Sequence, residues 1–193
     1  MRGWRAMGGL LVLLAVTGCA SLPPTNPTNL CSVFAQKKAW QRPAQRAEAN
    51  WDIPVPVMMA TIFHESSYRA KARPPRRVIL GFIPGPRRSS AYGYAQALDG
   101  TWGDYVDRNN RWFASRDNFA DAIDFVGWYH SISVQRNGIA RDDMYHLYLA
   151  YHEGHAGFRR RTFERKTWLM NYARRVAETE QRYRQQLATC PLR

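Results

Sequence analysis

The chain has 193 residues, with 28 Lys and Arg against 15 Asp and Glu, a formal net charge of +13 and three cysteines. This length fits one domain with a short extension, the 45% hydrophobic share excludes a disordered chain, and the low mean hydropathy excludes a polytopic membrane protein. The basic excess predicts an anionic partner and leaves its class open.

The first 18 residues have the pattern of a bacterial export signal. Two arginines precede an apolar run over 7–16, and small residues lead to Cys19. The run is shorter than the roughly 20 apolar residues that a membrane-spanning helix needs. Residues 16–19 resemble a bacterial lipobox, which implies cleavage before Cys19 and acylation of that cysteine; a plain signal peptide and a buried apolar strand are the alternatives. The Ala-Ser pair at 20–21 would then imply sorting to the outer membrane.

The segment after Cys19 predicts a tether followed by one domain. Residues 22–29 are rich in Pro, Thr and Asn and have no apolar periodicity, so 19–30 would link the lipid to a domain over 31–193. With Cys19 acylated, Cys31 and Cys190 remain, and an exported chain permits a disulfide between them. Such a bond would contribute at most about 4–5 kcal/mol through loop entropy. Two buried free thiols are the alternative.

Most of the remaining sequence predicts helices. Residues 57–65 are apolar nearly all round after Pro56, which indicates a buried helix. Residues 73–90 differ, because Pro, Gly and Arg surround the apolar run 78–83, and they predict a short hairpin or loop insertion. Few strand signals occur elsewhere, so the predicted fold class is mainly α. The other predicted helices lie at 32–51 with a second piece from Pro43, from Asp99, at 119–130 after an N-cap at Asp117, from Asp142, and at 168–187.

Three short motifs follow one another along the chain. They are Phe-His-Glu-Ser-Ser-Tyr at 63–68, Ala-Tyr-Gly-Tyr-Ala-Gln-Ala at 91–97 and Tyr-Leu-Ala-Tyr-His-Glu-Gly at 148–154. In this order they resemble the lytic transglycosylases of the goose-lysozyme-like group, whose signature is Glu-Ser at a helix end, then Gly-Leu-Met-Gln, then Ala-Tyr-Asn-x-Gly. The resemblance covers about 50–175 and implies a lysozyme-like single domain. The chain departs from the pattern at 94–95 and at His152, and the 73–90 insertion lengthens the first interval.

Glu65 is the residue that we expect to carry the chemistry. It is the only acid of the apolar helix and lies at its C-terminal end, where lost solvation and the helix dipole both raise the pKa of a carboxyl group. A carboxyl group that stays protonated near neutral pH can donate its proton to a glycosidic oxygen. The alternative is an exposed glutamate just past a helix end.

The resemblance also implies roles for three further residues. Ser66 would orient Glu65, and Gln96 would contact the sugar near the cleaved bond through its amide. Tyr151 would donate its hydroxyl hydrogen bond towards Glu65 or towards the N-acetyl oxygen of the substrate. Tyr148 and Tyr151 are three residues apart on one helix face, so a tyrosine of the core is the alternative for Tyr151.

The remaining site candidates are Gly93 and Tyr94 in the second motif and His152 and Glu153 in the third. Glu153 would be either a second carboxylate of the site or, as we favour, a solvated residue at a helix end. His152 and His155 are three residues apart with a glycine between them, which is not the spacing of four that zinc-binding helices use. We therefore expect no metal and no other cofactor.

The resemblance implies a membrane-anchored murein lytic transglycosylase. Such an enzyme cleaves the MurNAc–GlcNAc β-1,4 bond of peptidoglycan with formation of 1,6-anhydromuramic acid, and one glutamate acts as acid and then as base, whereas most glycosidases use two carboxylates. The alternatives are a non-catalytic wall-binding lipoprotein and a lysozyme-type hydrolase on the same fold. The expected location is the periplasm, on the inner face of the outer membrane. The arginine runs at 73–90 and 159–161 would then meet wall carboxylates or lipid phosphates, not nucleic acid.

Overall fold

The computed structural model describes residues 22–192, so the predicted export signal and the predicted acylation site Cys19 lie outside the described residues. The described range is mainly helical and forms a lysozyme-like α domain, as predicted. Its helices are α1 (Leu30–Gln36), α2 (Gln41–Trp51), α3 (Val55–Ser66), α4 (Asp99–Asn109), α5 (Phe119–Asn137), α6 (Met144–Arg159) and α7 (Thr167–Thr189), with 3-10 turns at Lys38–Trp40 and Thr162–Arg165. The strands β1 (Arg76–Ile79) and β2 (Ile83–Arg87) form one antiparallel pair.

Helix α3 lies at the centre of the core. Nine of its 12 residues are buried, as the apolar composition of the segment requires. Its neighbours α2, α5 and α7 pack around it, and α5 and α7 are each packed against α6 as well. Within residues 22–192, no helix has both the length and the apolar character needed to span a bilayer.

The helix starts follow local capping chemistry. The side chain of Asn118 accepts hydrogen bonds from the backbone N–H groups of Ala120 and Asp121, so α5 is capped one residue later than the predicted Asp117. Asp117 instead accepts hydrogen bonds from Tyr92 and Ser115. An amide oxygen and a carboxylate can both cap a helix, and the sequence alone does not order two adjacent candidates.

A disulfide joins the two ends of the domain, as predicted. Cys31 of α1 is bonded to Cys190, directly after α7, with 6.0 Å between their Cα atoms. The predicted tether is also held here, because the hydroxyl of Tyr183 donates to the carbonyl of Pro27 and the amide of Thr25 donates to Gln36 Oε1 at 3.0 Å. The second half of the tether is thus fastened to the domain.

The predicted insertion is a β-hairpin. Strands β1 and β2 pair with Ile79 opposite Ile83, and the Phe82 amide donates to the Ile79 carbonyl at 3.3 Å. Three residues, 80–82, connect the strands, and Leu80 and Gly81 at the centre of this turn have positive φ values of 52° and 80°. The apolar side chains of the tip are exposed.

Candidate active site

Glu65 occupies the last turn of α3, where the buried helix reaches the surface. The helix ends at Ser66, and Ser67 adopts a left-handed conformation that directs the chain away. The Glu65 side chain is partly accessible, and its Oε1 accepts a hydrogen bond from the Tyr148 hydroxyl at 3.0 Å. Burial raises the pKa of Glu65 to about 7, while the hydrogen bond from Tyr148 acts in the opposite direction and is outweighed. Near neutral pH the carboxyl is therefore present in both protonation states.

The last turn of α3 is fixed to α7 by uncharged contacts. His64 Nε2 lies 2.9 Å from the Thr179 hydroxyl, and the Tyr172 hydroxyl donates to the His64 carbonyl at 3.1 Å. Burial lowers the pKa of His64 to about 4, with the charges of Arg175 and Arg182 acting in the same direction. His64 is therefore neutral at physiological pH, and it adds no cation that would lower the pKa of the adjacent Glu65.

Ser66 closes the helix and makes no direct hydrogen bond to the Glu65 carboxyl. Its hydroxyl donates to the Ile62 carbonyl at 3.1 Å, and its own carbonyl accepts from Nε of Arg69 at 2.9 Å. The orienting role that the resemblance assigned to Ser66 is thus limited to holding the backbone of the last turn.

The hydroxyl that donates to Glu65 belongs to Tyr148, whereas the resemblance implies that Tyr151 donates either to Glu65 or to the N-acetyl oxygen of the substrate. Both residues lie on α6, and Tyr151 donates instead to the carbonyl of Ala95 at 2.6 Å. Tyr151 still lies within electrostatic reach of Glu65, and burial, with a smaller contribution from that carboxylate, raises the pKa of its hydroxyl. Tyr148 therefore binds the Glu65 carboxyl, and Tyr151 binds the backbone of the second motif.

The second motif forms a tight turn beside the start of the hairpin insertion. Gly93 has a φ of +80°, and a Cβ at this position would lie 2.0 Å from the Arg116 carbonyl oxygen, so no side chain fits. The Gln96 amide nitrogen donates to the carbonyls of Ala72 and Gly93 at 3.0 and 2.8 Å. With both amide hydrogens used, Gln96 Oε1 is the side-chain atom left to accept a hydrogen bond from a ligand.

Tyr94 lies in the core and not on the accessible surface. It is 1% exposed, and its ring packs edge-on against Trp40 and Phe119 at centroid distances of 5.6 and 5.7 Å. We predicted a substrate-supporting role for this side chain, but in the structure it packs in the core and holds the turn of the second motif against Trp40 and Phe119.

The third motif holds Glu153 in a buried ion pair. Its side chain is only 4% exposed and accepts hydrogen bonds from Lys166 Nζ at 2.7 Å, from the Thr162 hydroxyl and from His152 Nδ1 at 3.1 Å. Burial opposes ionisation, but these hydrogen bonds outweigh it and lower the pKa of Glu153 to about 2. The predicted solvated position is wrong, because the side chain is buried against Lys166 and Thr162. The low pKa keeps this carboxylate ionised near neutral pH.

Gly154 and His152 complete the third motif. Gly154 has φ 74° and ψ 156°, which breaks α6 into two helical pieces at this residue. His152 is exposed, and its ring lies edge-on to Trp168 at 5.2 Å. Across residues 22–192, no group of three or more His, Cys, Asp or Glu side chains is placed to hold a metal ion.

This sequence matches a known protein family. The family model described as the transglycosylase SLT domain matches residues 7–190, which is nearly the whole chain. No curated protein and no solved structure matches this sequence.

Proposed function

We propose a lytic transglycosylase activity for this chain, which belongs to the transglycosylase SLT domain family. Family membership supports an enzyme of peptidoglycan, associated with the periplasm or the cell wall. The finer proposal is cleavage of the MurNAc–GlcNAc β-1,4 bond with formation of 1,6-anhydromuramic acid. One observation carries it: the partly accessible Glu65 carboxyl, with a pKa of about 7 and the Tyr148 hydroxyl on its Oε1.

In the first step Glu65 acts as the acid. The protonated carboxyl donates its proton to the glycosidic oxygen, which leaves as the O4 hydroxyl of GlcNAc, and the bond from that oxygen to C1 of MurNAc breaks. Positive charge develops at C1, where the substrate's own N-acetyl oxygen can stabilise it. Glu65 is left as a carboxylate that keeps the hydrogen bond from Tyr148, which favours this charged form.

In the second step the same carboxylate acts as the base. It takes the proton of the MurNAc C6 hydroxyl, and O6 forms the new bond to C1, which closes the 1,6-anhydro ring. The proton that Glu65 gave away is regained, and no water is consumed. A pKa near 7 suits both steps, because neither protonation state is strongly disfavoured at neutral pH.

Glu153 supports a mechanism with a single carboxylate. Its pKa of about 2 and its bond to Lys166 make it a poor acid and a weak base. We assign it to holding the kinked end of α6, and we assign substrate contact to Gln96 Oε1, which the turn at 92–97 positions.

We further propose that Cys19 is acylated and that the enzyme is anchored to the inner face of the outer membrane. The lipobox-like segment at 16–19 supports this proposal. Incorporation of a labelled fatty acid into the expressed chain should occur with Cys19 and be lost in Cys19→Ser. Equal labelling of both chains would contradict acylation at this cysteine.

The test of the activity is product analysis by mass spectrometry. Residues 20–193 contain the whole described core and the disulfide, so this chain can be used without its lipid. Digestion of purified peptidoglycan should release fragments with anhydromuramyl ends, and Glu65→Gln should release them at least about 100-fold more slowly. Reducing ends would instead show a hydrolase. Wall binding without cleavage by either chain would show a non-catalytic protein.

A further inference from the structure

The tip of the β1–β2 hairpin is an apolar surface with no cover. Val78, Leu80 and Phe82 are 63%, 79% and 79% exposed, and Ile79 and Ile83 beside them are 48% and 42% exposed. These five side chains are adjacent in one small hairpin, and contiguous exposed apolar patches of this kind mark interaction sites in water-soluble domains. The tight turn over 80–82 presents them at the narrow end of the hairpin.

A collar of positive charge surrounds this tip. The segment 66–98 contains seven cationic residues and no Asp or Glu. None of them forms an ion pair within residues 22–192. The seven are Arg69, Lys71, Arg73, Arg76, Arg77, Arg87 and Arg88. Some of these arginines contact backbone carbonyls or the Tyr92 ring, but none is paired with a carboxylate of the described residues. Guanidinium groups without a carboxylate partner are suited to bind phosphate groups through paired N–H donors.

The chain end that leads to the predicted lipid lies at the base of the same hairpin. Leu22 and Pro23 line a cavity of about 530 Å³ together with Arg69, Lys71 and Arg87. Leu22 follows Cys19 by three residues, and three residues span at most ~11 Å when fully extended. An acyl chain on Cys19 would therefore bring a bilayer close to the collar. This third argument rests on the proposed acylation, whereas the apolar tip and the charges do not.

We propose that the β1–β2 hairpin is a membrane-docking wedge for an anionic phospholipid bilayer. Its apolar tip enters the interface between headgroups and acyl chains, and the arginines of the collar bind lipid phosphates. Lipid and hairpin together give two points of attachment, which fix the orientation of the domain as well as its distance from the bilayer. The Ala72 carbonyl at the hairpin base holds Gln96, so docking also sets where the candidate active site stands relative to the membrane.

Vesicle cosedimentation of residues 20–193 tests the proposal without any contribution from the lipid anchor. The chain should bind vesicles of phosphatidylglycerol and phosphatidylethanolamine and bind phosphatidylcholine vesicles weakly. The double variant Leu80→Glu/Phe82→Glu should bind the anionic vesicles at least about tenfold more weakly. Arg76→Glu/Arg77→Glu should lose affinity for the anionic vesicles alone. Phe113→Glu is the matched control, because Phe113 is fully exposed outside the hairpin, and it should bind as the wild type does.

Several results would overturn the docking proposal. These are no binding to anionic vesicles, equal binding by the hairpin double variant, or equal loss in Phe113→Glu. A dimer in sedimentation equilibrium that the double variant abolishes, without vesicle binding, would instead identify a second copy of the chain as the occupant. The double variant should cleave lipid-free peptidoglycan at the wild-type rate, so a failure of the docking proposal and a failure of the proposed activity give different results.

Discussion

Glu65 and Glu153 both lie at helix ends, but the pKa values of their carboxyl groups are shifted in opposite directions. Each is the penultimate or last helical residue before a break, at the end of α3 and at the Gly154 kink of α6. Burial disfavours the charged form of both carboxyls. The pKa of Glu65 nevertheless lies at about 7, whereas that of Glu153 lies at about 2.

Their partners account for the difference. Glu65 receives one hydrogen bond from a neutral tyrosine, next to a histidine that burial keeps neutral. Glu153 receives hydrogen bonds from a lysine, a threonine and a histidine. A buried carboxyl without a cation keeps its proton and can exchange it, while one with a cation becomes a fixed part of the structure. The first arrangement costs stability at neutral pH and suits the acid–base role proposed for Glu65, whereas the second contributes to the stability of the fold.

The largest effect should come from exchanging each carboxyl for an amide. Glu65→Gln removes the proton donor and should lower kcat on peptidoglycan by about 10²–10⁴-fold, the usual contribution of general acid–base catalysis. Glu153→Gln should leave kcat within about threefold, because this residue exchanges no proton at neutral pH. Release of soluble muropeptides, measured by chromatography, gives both rates. If Glu153→Gln lowers kcat as much as Glu65→Gln does while circular dichroism shows an intact fold, the proposed difference in function between the two carboxyl groups is wrong.

The second largest effect on the rate should distinguish Tyr148 from Tyr151. Tyr148→Phe removes the hydrogen bond to Glu65, and a hydrogen bond to a charged group contributes about 1.5–3 kcal/mol, so the rate should fall about 10–100-fold. Because that bond lowers the pKa of Glu65, its loss should also move the alkaline limb of the pH–rate profile to higher pH. Tyr151→Phe is the matched control, since its hydroxyl bonds to Ala95, and its limb should not move. If the alkaline limb moves in Tyr151→Phe and not in Tyr148→Phe, Tyr151 is the residue that donates to Glu65.

The stability cost of Glu65 should depend on pH. The pKa of Glu65 is raised from 4.5 to about 7 in the folded protein, so the folded state binds the proton more tightly than the unfolded state does. This tighter proton binding stabilises the folded state at low pH, and the stabilisation is lost as pH rises through 7. Glu65→Gln should therefore gain about 1–3 kcal/mol in free energy of unfolding relative to the wild type between pH 4.5 and pH 8. Urea denaturation at the two pH values measures this gain. A constant difference would mean that burial does not raise the pKa of Glu65.

The smallest effect should come from the partner of Glu153. Lys166→Met removes the cation of the ion pair and should destabilise the domain by about 1–2 kcal/mol at pH 7, a modest value because the lysine itself is 40% exposed. Lys166→Arg should recover part of this loss. Thermal unfolding monitored by circular dichroism measures both variants. An unchanged melting temperature in Lys166→Met would show that the hydrogen bonds from Thr162 and His152 suffice.

Local patterns in the sequence predict much of the fold. The apolar segment before Glu65 indicates the buried helix α3, and the Pro/Gly/Arg run around 78–83 predicts a hairpin or loop, which is a hairpin in the structure. The predicted pairing of Cys31 with Cys190 is present as a disulfide. The capping residue of α5 was wrong by one position, because adjacent Asp117 and Asn118 offer equivalent side chains.

The partners within the site depend on tertiary packing and could not be predicted in the same way. Tyr148 and Tyr151 share one helix face, and only the tertiary position of α6 relative to Glu65 and the turn at 92–97 decides which hydroxyl binds Glu65. The cation beside Glu153 comes from Lys166, beyond a kink and a 3-10 turn, and no periodicity connects the two. A site built from hydrogen bonds between distant segments is therefore recognised from its motifs, while the roles within it need the structure.

Carbon-13 NMR of the glutamate carboxyl groups tests the central claim most directly. In a pH titration of residues 20–193 labelled at the glutamate carboxyl carbon, one resonance should titrate near pH 7 and be absent in Glu65→Gln. The resonance absent in Glu153→Gln should titrate far below the others, near pH 2. If the Glu65 resonance titrates at or below the ordinary value of 4.5, the carboxyl is ionised at neutral pH and the proposed acid step has no proton to donate.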